Sequence, residues 1–277
     1  TKFILQFIIK EEKKCFLVEL DKDFSLNYFS FLENTEKIYF NTQNYKELFA
    51  LKENKIFLLN LKKNETEKKF LLKNISAFNI CNKDIYYLDN SGFLFKTDFS
   101  FKKKEILNKT PLSLKDTANY EIKIFGDFIF IQEENIFYLF EPKEHLFKKF
   151  FEPINIIKIS PDAKKIVFCS EHEIWLLFLK EQLDQPQKKA GQEIFIARFS
   201  KKINDCLWLN NDYLIFTSEN IIKITEIDDR NKINIISFDE FSSLKEKKLY
   251  KIFWNQNNKK LYILNEKKLF VSEKLIK

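Results

Sequence analysis

A short apolar strand, a polar turn and a second apolar strand recur along the whole chain, and this repeat limits the possible folds more than any other feature. Aligning the second strands at residues 15–17, 55–57, 93–95, 135–137, 173–175, 221–223 and 268–270 puts Phe16, Ile56, Leu94, Ile136, Ile174, Ile222 and Leu269 at equivalent positions. The spacings are 40, 38, 42, 38, 48 and 47 residues. The preceding strand matches at residues 47–51, 84–88, 127–131, 165–169, 213–217 and 260–264. Tight polar turns such as Lys52-Glu53-Asn54 and Ser218-Glu219-Asn220 join the two, which makes each pair a β-hairpin. Innermost strands are predicted at residues 37–40, 75–80, 121–125, 154–159, 205–209 and 250–254. Weaker outer strands fall at 69–72, 146–151, 193–198 and 232–238, as suits edges that need only one packed face.

A period near forty residues made of strands, without 3.6-residue apolar stripes, is the pattern of a four-stranded propeller blade and not of a helical solenoid. Composition agrees. The chain is 45% apolar with 32 Phe, 10 Tyr and no Met, and β-branched and aromatic side chains suit half-buried pleated surfaces. The fold class expected is all-β, a β-propeller of about seven four-stranded blades forming a single domain over residues 1–277. The first unit lacks an inner strand before Phe3 and the last lacks an outer strand after Leu275. Closure would then come either from a strand supplied upstream or from face-to-face packing of the end blades. Residues 181–191, with Pro186 and three Gln, read as a long exposed loop. The sequence opens at Thr1 without Met, so it is read as a piece of a longer chain whose anchor or targeting signal would lie upstream.

The net charge is +7, but the excess is Lys in scattered short runs, the mark of a solvated surface. Arg198 and Arg230 are the only arginines. Base-edge recognition needs clustered charge and Arg, so nucleic acid is not the expected partner; a chromatin- or RNA-associated propeller is a third reading, which a continuous basic patch would favour. No run of eighteen apolar residues occurs, so no membrane-spanning helix is expected. Cys15, Cys81, Cys169 and Cys206 have no short metal-ligand spacing. They are read as buried free thiols, with a Cys169–Cys206 bridge between adjacent blades as the alternative, to be decided by strand geometry.

The chemistry of catalysis is missing. His145 and His172 sit beside turns in different blades, without a His or Cys partner at ligand spacing. There is no GxSxG, and three glycines, Gly92, Gly126 and Gly191, cannot make a phosphate-cradling loop. Asp228, Asp229 and Arg230 read as a turn with local ion pairing, since the ligand series of a calcium loop is absent. Trp175, Trp208 and Trp254 fall at strand positions and are expected to pack between sheets; a sugar-stacking role would require exposure. The expectation is therefore no enzyme, no catalytic, cofactor-binding or metal residue, and no cofactor. The alternative is a propeller hydrolase with paired carboxylates at the central channel.

Residues 160–168, Ser-Pro-Asp-Ala-Lys-Lys-Ile-Val-Phe, followed by Glu173-Ile174-Trp175, resemble the SPDGKxIxF and xIW signature of WD-like repeats in TolB-like propellers. Ala163 replaces the usual Gly, so this turn must either avoid positive φ or bear its strain. Residues 211–216 and 224–234, with the run Glu226-Ile227-Asp228-Asp229-Arg230, look like the propeller regions that follow PEGA domains in bacterial surface proteins. That resemblance implies an upstream membrane anchor and an extracytoplasmic, non-enzymatic propeller. Its partner would be a protein or a cell-envelope polysaccharide, engaged through loops that join strands of different blades.

Overall fold

The computed structural model describes residues 2–9, 12–20, 24–28, 30–61, 68–219, 221–238, 251–265 and 268–275. They form seven antiparallel sheets, each made of strands consecutive in sequence. The first has three strands, β1 Lys2–Ile9, β2 Glu12–Leu20 and β3 Phe24–Tyr28. Four strands make the second: β4 Lys37–Phe40, β5 Glu47–Lys52, β6 Lys55–Asn60 and β7 Lys68–Lys73. The third contains β8 Ile75–Cys81, β9 Asp84–Asp89, β10 Leu94–Asp98 and β11 Lys104–Ile106. The fourth contains β12 Tyr120–Phe125, β13 Phe128–Glu133, β14 Ile136–Glu141 and β15 Leu146–Phe151. In the fifth are β16 Ile156–Ile159, β17 Lys165–Cys169, β18 Glu173–Phe178 and β19 Glu193–Arg198. The sixth holds β20 Ile203–Trp208, β21 Tyr213–Ser218, β22 Ile221–Glu226 and β23 Ile235–Phe238. The seventh again has three, β24 Lys251–Asn255, β25 Lys260–Asn265 and β26 Lys268–Lys274.

All seven hairpins lie where the repeat puts them, and the two end sheets have three strands each. Local turn chemistry explains the registers. Lys52 pairs with Lys55, leaving a two-residue loop in which Glu53 and Asn54 both have positive φ, 52° and 57°; this geometry follows the strand twist. Between the paired Cys81 and Asp84, Asn82 alone of the two loop residues takes positive φ, at 56°. Ala163 bears the strain its sequence implied, at φ 54°. The turn is held by Asp162, which accepts from the Ser160 hydroxyl at 2.5 Å and from the Lys164 N–H at 3.0 Å. Lys165, almost fully buried, reaches the same carboxylate at 3.2 Å. The sixth leading strand starts at Ile203, two residues before its predicted start, because a bulge between Ile203 and Asp205 lets Ile203 keep its partner Ser218. Tyr250, in the predicted last inner strand, lies outside the described residues, as does Asn220.

The strands divide into two compact units. One comprises residues 1–124, 129–134 and 138–148; the other comprises 125–128, 135–137 and 149–277. In the first unit the core sits in clusters around Phe49, Phe78 and Tyr87, around Leu88, Leu94 and Ile131, and around Cys15, Leu32 and Leu48. In the second unit, Val167, Cys169, Cys206, Trp208 and Phe216 share one cluster, and Ile215, Ile222, Ile252 and Leu261 another. The four cysteines are free thiols. Cys169 and Cys206, both fully buried, share one core cluster, and burial, with Cys206 beside it, drives the Cys169 thiol well above its ordinary pKa. The suspected pair is therefore adjacent but not bonded.

Tyr87 stacks on Phe95 with ring centroids 4.9 Å apart, and its buried hydroxyl has no partner among the described residues. Burial, reinforced by the charge of Asp89, pushes its pKa up to about 12. A tyrosine in the unfolded chain ionises near pH 10. The contribution of the neutral phenol is thus complete below pH 10 and is lost as pH rises toward 12. Tyr87→Phe removes an unsatisfied buried polar atom and is expected to stabilise the fold by about 1 kcal/mol at neutral pH. In denaturant titrations the advantage of the variant should widen between pH 10 and 12; a gap that stays constant would contradict the assignment.

Candidate functional site

Three leading strands of the first unit bring polar side chains to one place. Lys37 opens β4, Ser76 lies at the start of β8, and Tyr120 and Glu121 open β12. With the turn residues Asn54 and Asn90 and the connection between β11 and β12, they enclose a cavity of about 660 Å³. All of its lining residues belong to the first unit.

The wall formed by residues 107–119 is a strap tied down at both ends. At its start the buried Asn108 side chain accepts from the Leu94 N–H at 2.7 Å and donates to the carbonyls of Gly92 at 3.0 Å and Thr110 at 2.8 Å. The Leu112 N–H adds a 2.9 Å bond to the Gly92 carbonyl. Gly92 has φ +84°, and a Cβ built there would stand 1.9 Å from the Leu112 carbonyl oxygen, so glycine is required twice over. At the far end, the Lys115 N–H donates to the Tyr120 hydroxyl at 2.7 Å. The Lys115 ammonium bonds Glu133, whose side chain is 3% exposed and which also meets the Tyr138 hydroxyl at 3.4 Å. Leu107, Leu112, Leu114 and Ala118 pack against the core beneath.

The charges of the floor are tied as well. Glu121 receives bonds from Lys37 and, at 2.9 Å, from Lys123. Burial opposes its ionisation, but the two ammonium hydrogen bonds outweigh this and hold the carboxyl below its ordinary range. Burial and the Glu121 charge push Tyr39 up to about 12. Ser76 donates to Asn90 at 3.0 Å, and not to any base. Against this fixed frame, the side chains of Asn54, Asp116, Thr117 and Asn119 make no hydrogen bond to any described residue. They present amide, hydroxyl and carboxylate groups to the cavity.

The residues singled out from sequence fall elsewhere. Nδ1 of His145 lies 2.9 Å from the Leu107 carbonyl, and Nδ1 of His172 lies 3.2 Å from that of Phe199; both brace turns. Among the described residues, no group of three or more His, Cys, Asp or Glu could hold a metal, and no helix is long and apolar enough to cross a membrane. Arg198 is bonded to Glu173 and Arg230 to Asp228. Asp229 departs from the local-turn reading: its carboxylate reaches Lys188 at 2.6 Å. Lys188 belongs to the loop read as exposed, yet is itself buried, because residues 182 and 188 pair as a small bridge. Trp175 packs against Phe151 and Phe195, and Trp208 is buried, donating to the Lys158 carbonyl at 3.0 Å. The leading strands β4, β8 and β12 carry one carboxylate, Glu121. Those of the second unit, β16, β20 and β24, also carry one, Asp205. Burial raises the pKa of Asp205, and the N–H groups of Cys206 and Ile252 bond it. Neither unit pairs two carboxylates on these strands.

No family model matches the sequence, and no curated protein matches it. Solved structures do. Hsv2p of Kluyveromyces lactis superposes with a TM-score of 0.52 at 13% identity, covering 87% of this chain and 75% of its own. YCF48 bound to D1 peptide gives 0.50 at 12%, covering 98% and 93%. The extracellular domain of BT4673 from B. thetaiotaomicron gives 0.50 at 13%, covering 98% of this chain and 37% of its own. These neighbours are β-propellers. At such identities they establish the fold alone: the chain is an all-β protein of WD-like propeller fold, with seven antiparallel sheets among its described residues.

Proposed function

We propose that this chain is a non-catalytic binding propeller and that the cavity behind the 107–119 strap receives a polar segment of a protein partner. The observation that carries this reading is the contrast within the cavity. Lys37, Glu121, Asn108 and Lys115 of its frame are held by hydrogen bonds and ion pairs, while Asn54, Asp116, Thr117 and Asn119 offer unused donors and acceptors. Such groups match a peptide main chain, and a frame already in place spares the ordering cost of binding. The YCF48 structure, of the same fold, holds a peptide. A polysaccharide would call for an exposed aromatic platform, and the one aromatic side chain lining the cavity, Tyr120, is buried. The same proposal takes residues 1–277 as one propeller. It also takes the domain to be extracytoplasmic and anchored upstream, as the PEGA-type resemblance implies; the extracellular placement of BT4673 is in keeping with this.

The test is panning of a random dodecapeptide phage library on the wild-type chain, with counter-selection on Asn119→Trp, which fills the cavity from an exposed strap position. Clones should emerge that bind the wild type at least tenfold more tightly than the variant. A library that yields no clone able to tell the two proteins apart would refute the site.

A further inference from the structure

We infer that the cavity selects peptide segments carrying a basic side chain, the guanidinium of Arg or the ammonium of Lys. This rests on the binding reading above and adds the charge of the ligand. The lining contains both signs, but they are not equally available. Lys37 is bound to Glu121, and Lys115 to the buried Glu133. Each cation in the lining is therefore already paired with a protein carboxylate.

The acids differ. Asp116, on the strap, has no hydrogen bond to any described residue. Among the described residues, Glu36 accepts only the Glu53 N–H, at 3.1 Å through Oε1. Counting the lining together with its ion partners, the three lysines 37, 115 and 123 stand against the four carboxylates of Glu36, Asp116, Glu121 and Glu133. The local balance is negative although the whole chain is +7. Charges beyond about 8–10 Å are screened at physiological salt, so the local set decides which ion is drawn into the cavity. A guanidinium or ammonium would complete the hydrogen bonding of Asp116 and Glu36, while Asn54, Thr117 and Asn119 take the flanking main chain.

Three dodecapeptide pools, random except for a central Arg, Gln or Glu, provide the probe. Their binding to the wild type, to Asn119→Trp and to the double variant Glu36→Gln/Asp116→Asn would be followed by fluorescence polarisation. Both charge substitutions keep an oxygen acceptor, and an unchanged thermal melt verifies folding. The Arg pool should bind the wild type about tenfold more tightly than the Glu pool, the equivalent of one well-placed charge contact. That preference should shrink to within about twofold in the double variant and weaken with added salt. Pools that bind the wild type equally but lose binding in Asn119→Trp would overturn the charge inference and leave the binding site standing. Pools that treat the wild type and Asn119→Trp alike would overturn both.

Discussion

Gly92→Ala is expected to cost about 3 kcal/mol and to release the strap. Two terms add: a non-glycine residue in the left-handed region costs about 1–2 kcal/mol, and relieving an overlap with fixed backbone costs about 1–3 more. The overlap is severe, because the new Cβ would sit 1.9 Å from a carbonyl oxygen that cannot rotate away. Gly126 supplies the comparison. It has φ +60°, and nothing lies within 4 Å of a Cβ built there, so Gly126→Ala should carry the conformational term alone. Hydrogen exchange gives the local readout: the Leu112 amide, bonded to the Gly92 carbonyl, should lose protection in Gly92→Ala while amides of β9 and β10 remain slow. Equal costs for the two alanine variants, with Leu112 still protected, would show that the strap does not depend on Gly92.

The same residue marks what could and could not be read from the sequence. The hairpins were legible because their cause is local: alternating apolar residues on either side of a two-residue turn, as at Lys52-Glu53-Asn54-Lys55, determine both the strands and the register. The strand β11 was not, since all three of its residues, Lys104, Glu105 and Ile106, are exposed and give no alternation to detect. The cavity was illegible for a different reason. Glu121 meets Lys37 across 84 positions, Asn108 bonds backbone 14 and 16 residues away, and the strap falls within an ordinary 42-residue spacing. Gly92, one of only three glycines, was the available signal. It pointed to a special backbone position without saying what approached it.

The second large effect belongs to the other end of the strap. Lys115→Met should destabilise the chain, and Glu133→Gln in the same background should restore much of the loss. Removing one partner of a buried ion pair costs about 3–5 kcal/mol, because the remaining charge is stranded. Here one partner is open to water: the Lys115 side chain is 64% exposed while that of Glu133 is 3% exposed, so the loss is smaller than for a pair buried on both sides. What remains in the single variant is a buried carboxylate with the Tyr138 hydroxyl at 3.4 Å as its other partner. Glutamine removes the charge and keeps an acceptor for that hydroxyl, so the double variant should be more stable than Lys115→Met and the two substitutions should not add. The peptide-binding readout should separate the two effects: weakened in Lys115→Met, where the strap loses its anchor, and still weakened in the double variant, which regains stability but not the anchor. Strictly additive costs in urea melts would mean that the ammonium does not hold Glu133, and the strap would then owe its position to Tyr120 and the leucines beneath it.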